Sequence, residues 1–172
     1  MGSSLGGMVA LAAALAAPER TAALVLLGAP AAWASVPRRL KVAARIHSLV
    51  PRRPYPAAFA AVMLPPFKGY PPEVREELRV QMLHRTKESV GACIAAMRGF
   101  DARPRLGSIR APTLVVHGES DGVIPPRSGA AIAAAVPGAT FASIPHCGHL
   151  PQVSHPGEVI ALTARFLEER GL

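Results

Sequence analysis

Aromatic residues and cysteines are scarce in this chain. Of 172 residues, one is Trp, two are Tyr, five are Phe and two are Cys. Two cysteines do not make a disulfide framework at this length, so Cys93 and Cys147 read as free, buried thiols of a reducing cytoplasm. Acids are also few, with 11 Asp and Glu against 19 Lys and Arg. The formal charge of +8 raises nucleic acid as a partner, but that reading needs basic residues interleaved with aromatics on one face. Arg38, Arg39, Lys41, Arg45, Arg52 and Arg53 instead cluster in a proline-rich stretch with only Trp33 and Tyr55 nearby. They read as solvated surface, and no nucleic-acid partner is expected. Long apolar runs are missing as well. Met8 to Ala17 is too short to cross a bilayer, and no Lys or Arg precedes Arg20 to make it a signal peptide. Gly6 stands where a myristoylation signal needs Ser or Thr. A cytoplasmic protein without membrane association is expected. No metal-ligand spacing stands out, and no cofactor is called for.

What is present begins at the second residue. Gly2-Ser3-Ser4-Leu5-Gly6-Gly7 contains Gly-x-Ser-x-Gly, and an Ala/Leu-rich helix follows from Met8 to Ala17, stopping at Pro18. Such a motif carries chemistry on a sharp strand-to-helix turn, which exposes the Ser hydroxyl above a sheet. Glycines flank it because a strained turn and a close helix–strand approach leave no room for Cβ atoms. Ser3 and Ser4 are both candidates for the helix cap; the Gly2-to-Gly6 spacing selects Ser4 as the exposed hydroxyl. Leu24–Gly28, Thr113–Gly118 and Thr140–Pro145 read as strands from their apolar or β-branched runs. Asp121 follows the second of these and His149 the third. Ser4, Asp121 and His149 thus lie at the carboxyl ends of predicted strands, where ligand sites of open α/β sheets are found.

Ser…Asp…His is also the chain order of the α/β-hydrolase fold. The sequence resembles the C-terminal part of such an enzyme, of the small esterase, lactonase and carbon–carbon-bond hydrolase type. The likeness is carried by Gly2–Leu27, by Leu106–Pro125 ("LGSIRAPTLVVHGESDGVIP") and by Ala139–Leu167, which contains the Gly148-His149 loop. It implies an α/β class, with three parallel strands and flanking helices from the C-terminal part of the sheet. It also implies an inserted helical cap over residues 32–101, the core being 1–31 and 102–172.

The resemblance assigns the chemistry to Ser4 as nucleophile, His149 as base and Asp121 as the acid that orients it, with the Leu5 N–H as an oxyanion donor. Each has competitors in this sequence. Glu119 competes with Asp121, while Asp101 lies in the cap-to-sheet connection. His146 and His155 compete with His149, which the Gly148 before it favours. Cys147 is a rival thiol with no base arranged for it. The acid position used by some relatives, after the earlier strand, is here Gly28-Ala29-Pro30-Ala31 and holds no carboxylate.

Within the insert, prolines break the chain into short pieces, and 73–87 and 88–100 read as two helices with apolar residues at helical spacing. The strand that should precede the elbow is missing, as are the earlier strands of the family's sheet. Met1 falls where that preceding strand should end, so an internal Met and a truncated chain are expected. The unpaired sheet edge is then a surface for self-association. The expected activity is attack by a serine on an ester, lactone or related small-molecule carbonyl substrate. The alternative is an inactive remnant or a non-catalytic interaction module.

Overall fold

The computed structural model describes residues 1–172, with the side chain of Ile46 left aside. Four strands make one sheet: β1 (Gly2–Ser3), β2 (Leu24–Leu27), β3 (Thr113–Gly118) and β4 (Thr140–Ile144). They lie in the order β1-β2-β3-β4 and every neighbouring pair is parallel. The three strands expected from sequence are present in the expected order. The fourth corrects the expectation that no strand precedes the elbow. Gly2 and Ser3 pair with Leu26 and Leu27 of β2, because the Ser4 N–H continues the ladder to the Leu27 carbonyl at 2.9 Å.

A parallel sheet is covered on both faces, so its inner strands are apolar without alternation. All four residues of β2 and all six of β3 are buried. On one face Leu24, Leu26 and Val115 pack with Leu11 of α1 (Leu5–Ala16) and Ile132 of α6 (Arg127–Ala135). On the other, Val25, Leu27, Leu114 and Val116 pack with Val159 and Phe166 of α8 (Pro156–Glu168). Filling a buried Leu site of this kind contributes about 1.5–3 kcal/mol per side chain.

Between β2 and β3 the chain forms α2 (Arg38–Ile46), α3 (Tyr55–Met63), α4 (Pro72–Leu83) and α5 (Lys87–Arg98). An antiparallel bridge between Ala32 and Asp101 closes this segment at its base. The sequence pattern located α4 and α5 as two helices but carried the first on to residue 87, past its end at Leu83. The break falls at Thr86, which caps α5 by accepting the Ser89 N–H at 3.1 Å. A short α7 (Pro151–Ser154) follows β4. Contrary to the expectation of two buried thiols, Cys93 is exposed and only Cys147 is buried; both are free. Among the described residues no helix is long and apolar enough to cross a membrane.

Candidate active site

Ser4 sits at the β1–α1 junction with φ 52° and ψ −118°, a conformation that costs a non-glycine residue of the order of 1–3 kcal/mol. The close packing around it explains how this backbone is held. A Cβ on Gly2 would collide with the carbonyl of Gly6, and one on Gly7 with the Cβ of Ala29. Gly6, by contrast, has open space around a built Cβ. The glycine that permits close approach of helix and sheet is therefore Gly7, not the Gly6 that the motif spacing suggested.

The Ser4 hydroxyl does not cap α1. Its Oγ lies 2.9 Å from His149 Nε2, and His149 Nδ1 lies 2.8 Å from Asp121 Oδ2. An ionised carboxylate only accepts, so Nδ1 carries the proton and Nε2 is left to accept the Ser4 O–H. Asp121 Oδ1 in turn accepts the N–H groups of Val123 at 2.7 Å and Ile124 at 2.9 Å. Burial alone would push this carboxyl up. The contacts from His117 and His149, the charge of His149 and the Ile124 N–H outweigh it and hold the group far below the usual carboxylate range.

The competing residues lie elsewhere. Ser3 Oγ accepts from Gln152 Nε2 at 3.2 Å, tying the elbow to α7. Glu119 is exposed and accepts from Ser143, and Asp101 pairs with Arg103. His146 is exposed, and His155 Nδ1 lies 2.9 Å from the Ser154 hydroxyl. Burial pushes the Cys147 thiol up, which leaves it a poor nucleophile.

Three supporting residues have no sequence signal of their own. Tyr70, on the loop before α4, accepts the Leu150 N–H at 2.7 Å and packs against Gly148, so it grips the His149 loop on both sides. Phe67 places its ring 6.3 Å from the His149 ring. Gly28, after β2, has φ 55°, and a Cβ there would stand 3.0 Å from the His149 carbonyl and 3.3 Å from Asp121 Oδ2.

Ser4 and Leu5 open onto a cavity of about 480 Å³. Its other walls come largely from the helical segment, with Leu40, Phe59, Met82 and Met97 among them. A polar spot interrupts this apolar lining where His47 Nδ1 meets the Tyr55 hydroxyl at 3.2 Å. Leu5 is the first residue of α1, so its N–H has no carbonyl partner within the helix. Among the described residues no group of three or more His, Cys, Asp or Glu is placed to hold a metal ion.

The family model of the alpha/beta hydrolase fold matches residues 1–156. The chain is 31% identical over 176 residues to a 2-hydroxy-6-oxo-6-phenylhexa-2,4-dienoate hydrolase of Burkholderia cepacia, a match covering 97% of this chain and 61% of that protein. It is 27% identical to a pimeloyl-[acyl-carrier protein] methyl ester esterase of Nitrosospira multiformis, covering 96% of this chain and 66% of that one. Among solved structures, a thermophilic esterase from Thermogutta terrifontis superposes with a TM-score of 0.84 at 32% identity, over 98% of this chain and 63% of the esterase. The chain thus spans about three-fifths of the length of these relatives.

Proposed function

The chain belongs to the α/β-hydrolase family, and from that premise we propose that it carries the nucleophile, base and acid of a serine hydrolase acting on an ester, lactone or related carbonyl compound. The observation behind this reading is the continuous line from Ser4 Oγ through His149 to Asp121, with links of 2.9 and 2.8 Å. A serine hydroxyl is a feeble nucleophile until a neighbouring base takes its proton. In this reading Ser4 Oγ attacks the carbonyl carbon while His149 Nε2 takes the proton. The oxyanion forms at the amino end of α1, where the Leu5 N–H and the helix dipole favour negative charge. The imidazolium, stabilised by Asp121, then gives its proton to the leaving group, and Ser4 is left acylated. Water, deprotonated by His149, releases the acid.

Residues 1–31 and 102–172 act in this scheme as the core, and residues 32–101 as a cap whose apolar side chains receive the acyl or aryl part of the substrate. A cavity of about 480 Å³ falls within the usual range for small-molecule sites. Incubation with a short-chain aryl ester, quenching in acid and peptide mass spectrometry tests the scheme. The peptide containing Ser4 gains the mass of the acyl group, and Ser4→Ala removes that adduct. An adduct on another residue, or none from a folded sample, contradicts it.

A further inference from the structure

His117 is completely buried inside β3 and has no part in the proton path above. Its Nε2 lies 3.0 Å from the Ile124 carbonyl oxygen and 3.1 Å from Asp121 Oδ2, the same oxygen that receives His149 Nδ1–H. The N–H direction favours Ile124, with the carboxylate oxygen alongside. Because both neighbours only accept, Nε2 must carry a proton. Nδ1 is buried without a hydrogen-bond partner among the described residues. A proton there would be an unpaired buried donor, so the surroundings suit the neutral Nε2–H form.

The Ile124 N–H donates to Asp121 Oδ1 while its carbonyl accepts from His117. The 121–124 turn is thus closed around one imidazole. Gly129 of α6 makes room for that ring, since a Cβ there would stand 2.5 Å from His117 Nδ1. Glycine is a poorer helix former than alanine, and the ring of His117 supplies a steric reason for it in the first turn of α6.

Resting on the hydrolase reading above, we propose that His117 is a positioning residue: its Nε2–H, shared between Ile124 and Asp121, sets the orientation of the carboxylate that His149 uses. Connected measurements on the whole chain test this. In the unsubstituted protein, long-range 15N–1H spectra show His117 protonated at Nε2 and bare at Nδ1, and a downfield His149 Hδ1 signal reports the bond to Asp121. His117→Leu broadens or shifts that His149 signal and slows phosphonate labelling of Ser4 by about ten- to a hundred-fold, the scale expected for small misplacements of a reacting group. His117→Gln, which keeps an amide donor, restores both towards the original. Gly129→Ala also slows labelling, but not in a His117→Ala background, where the ring it would strike is gone. A His117 protonated at Nδ1, an unchanged His149 signal in a folded His117→Leu protein, or equal effects of Leu and Gln would each overturn the proposal. Failure of the unsubstituted protein to label at Ser4 overturns the hydrolase reading instead, while the two imidazole signals still decide the role of His117.

Discussion

The sheet with its flanking helices and the helical segment over it both line the cavity, but they are built on different terms. In the sheet, Leu26, Val115, Val116 and Leu114 are at most 1% exposed, and neighbours on both faces fix each one. The candidate site residues Ser4, Asp121 and His149 follow the carboxyl ends of β1, β3 and β4. In the helical segment, α4 buries no residue at all and α5 buries only Val90. Its apolar core is small, Val36, Phe67 and Tyr70 gathered on Val123 and Ile124, and Leu78, Met82 and Met97 pack against that cluster only partly buried. The sheet therefore holds atoms in fixed positions, whereas α4 and α5 supply a wall whose exposed and half-buried side chains can change at less cost to the fold.

The sharpest break of this contrast lies in the chemistry. Ser4→Ala is expected to abolish phosphonate labelling and ester turnover, and Asp121→Asn to lower both by about 10⁴-fold through the wrong imidazole tautomer. Circular dichroism should stay unchanged for Ser4→Ala. Phe59→Ala or Met82→Ala, in the cavity wall, should change the preferred acyl length while slowing a short ester far less than Asp121→Asn does, since each methylene in an apolar pocket is worth only about 1–3 kcal/mol, roughly ten- to two-hundred-fold. An equal collapse from the wall substitutions would erase the distinction between the two regions.

Stability gives the next largest difference. Leu26→Ala should cost about 2–5 kcal/mol in denaturant unfolding, through lost transfer energy and the cavity left behind. Leu78→Ala on α4, a half-buried position at the rim of the Val36, Phe67 and Tyr70 cluster, should cost less, about 1 kcal/mol, the usual size for a substitution that leaves no enclosed cavity.

Between sheet and site stands Gly28. Its φ of 55° and its contact with the His149 carbonyl predict that Gly28→Ala costs about 1–3 kcal/mol and slows labelling, the backbone being forced from a region that alanine avoids. Full activity with unaltered stability would show that the loop relaxes freely.

The pH dependence sharpens the same comparison. Asp121 is held below its ordinary value in the folded state, so its charge stabilises the fold above the unfolded-state value of about 4. That contribution drains away as pH falls towards the native value. Asp121→Asn should therefore flatten the loss of stability on acidification. A neutral variant of the exposed Glu76–Arg79 pair on α4 should leave the curve unmoved, as surface ion pairs generally do.

Much of the sheet was readable because buried parallel strands are short apolar runs. Asp121 and His149 were legible because each lies just beyond such a run, and Ser4 because of the Gly2-to-Gly6 spacing around it. The helical segment was less legible. Its prolines read as breaks, yet Pro37 and Pro54 stand at helix starts, where a fixed φ and a missing N–H cost nothing. Helices α2 and α3 were missed for that reason. Strand β1 is two residues long and exists only through pairing with β2. Tyr70 and Phe67 belong to the site through contacts spanning some eighty residues of chain, which no local pattern announces. His117 sat in plain view within the strand Thr113–Gly118, but nothing in the sequence distinguishes a core histidine from one that faces the acid.

The central claim is that Ser4 is activated by His149 within this chain, and fluorophosphonate labelling with mapping of the modified peptide tests it most directly. The account predicts a single adduct on Ser4, lost in Ser4→Ala and strongly slowed in His149→Gln, with the fold retained in both. Labelling at any other residue, or a rate on Ser4 indifferent to His149→Gln, would contradict it.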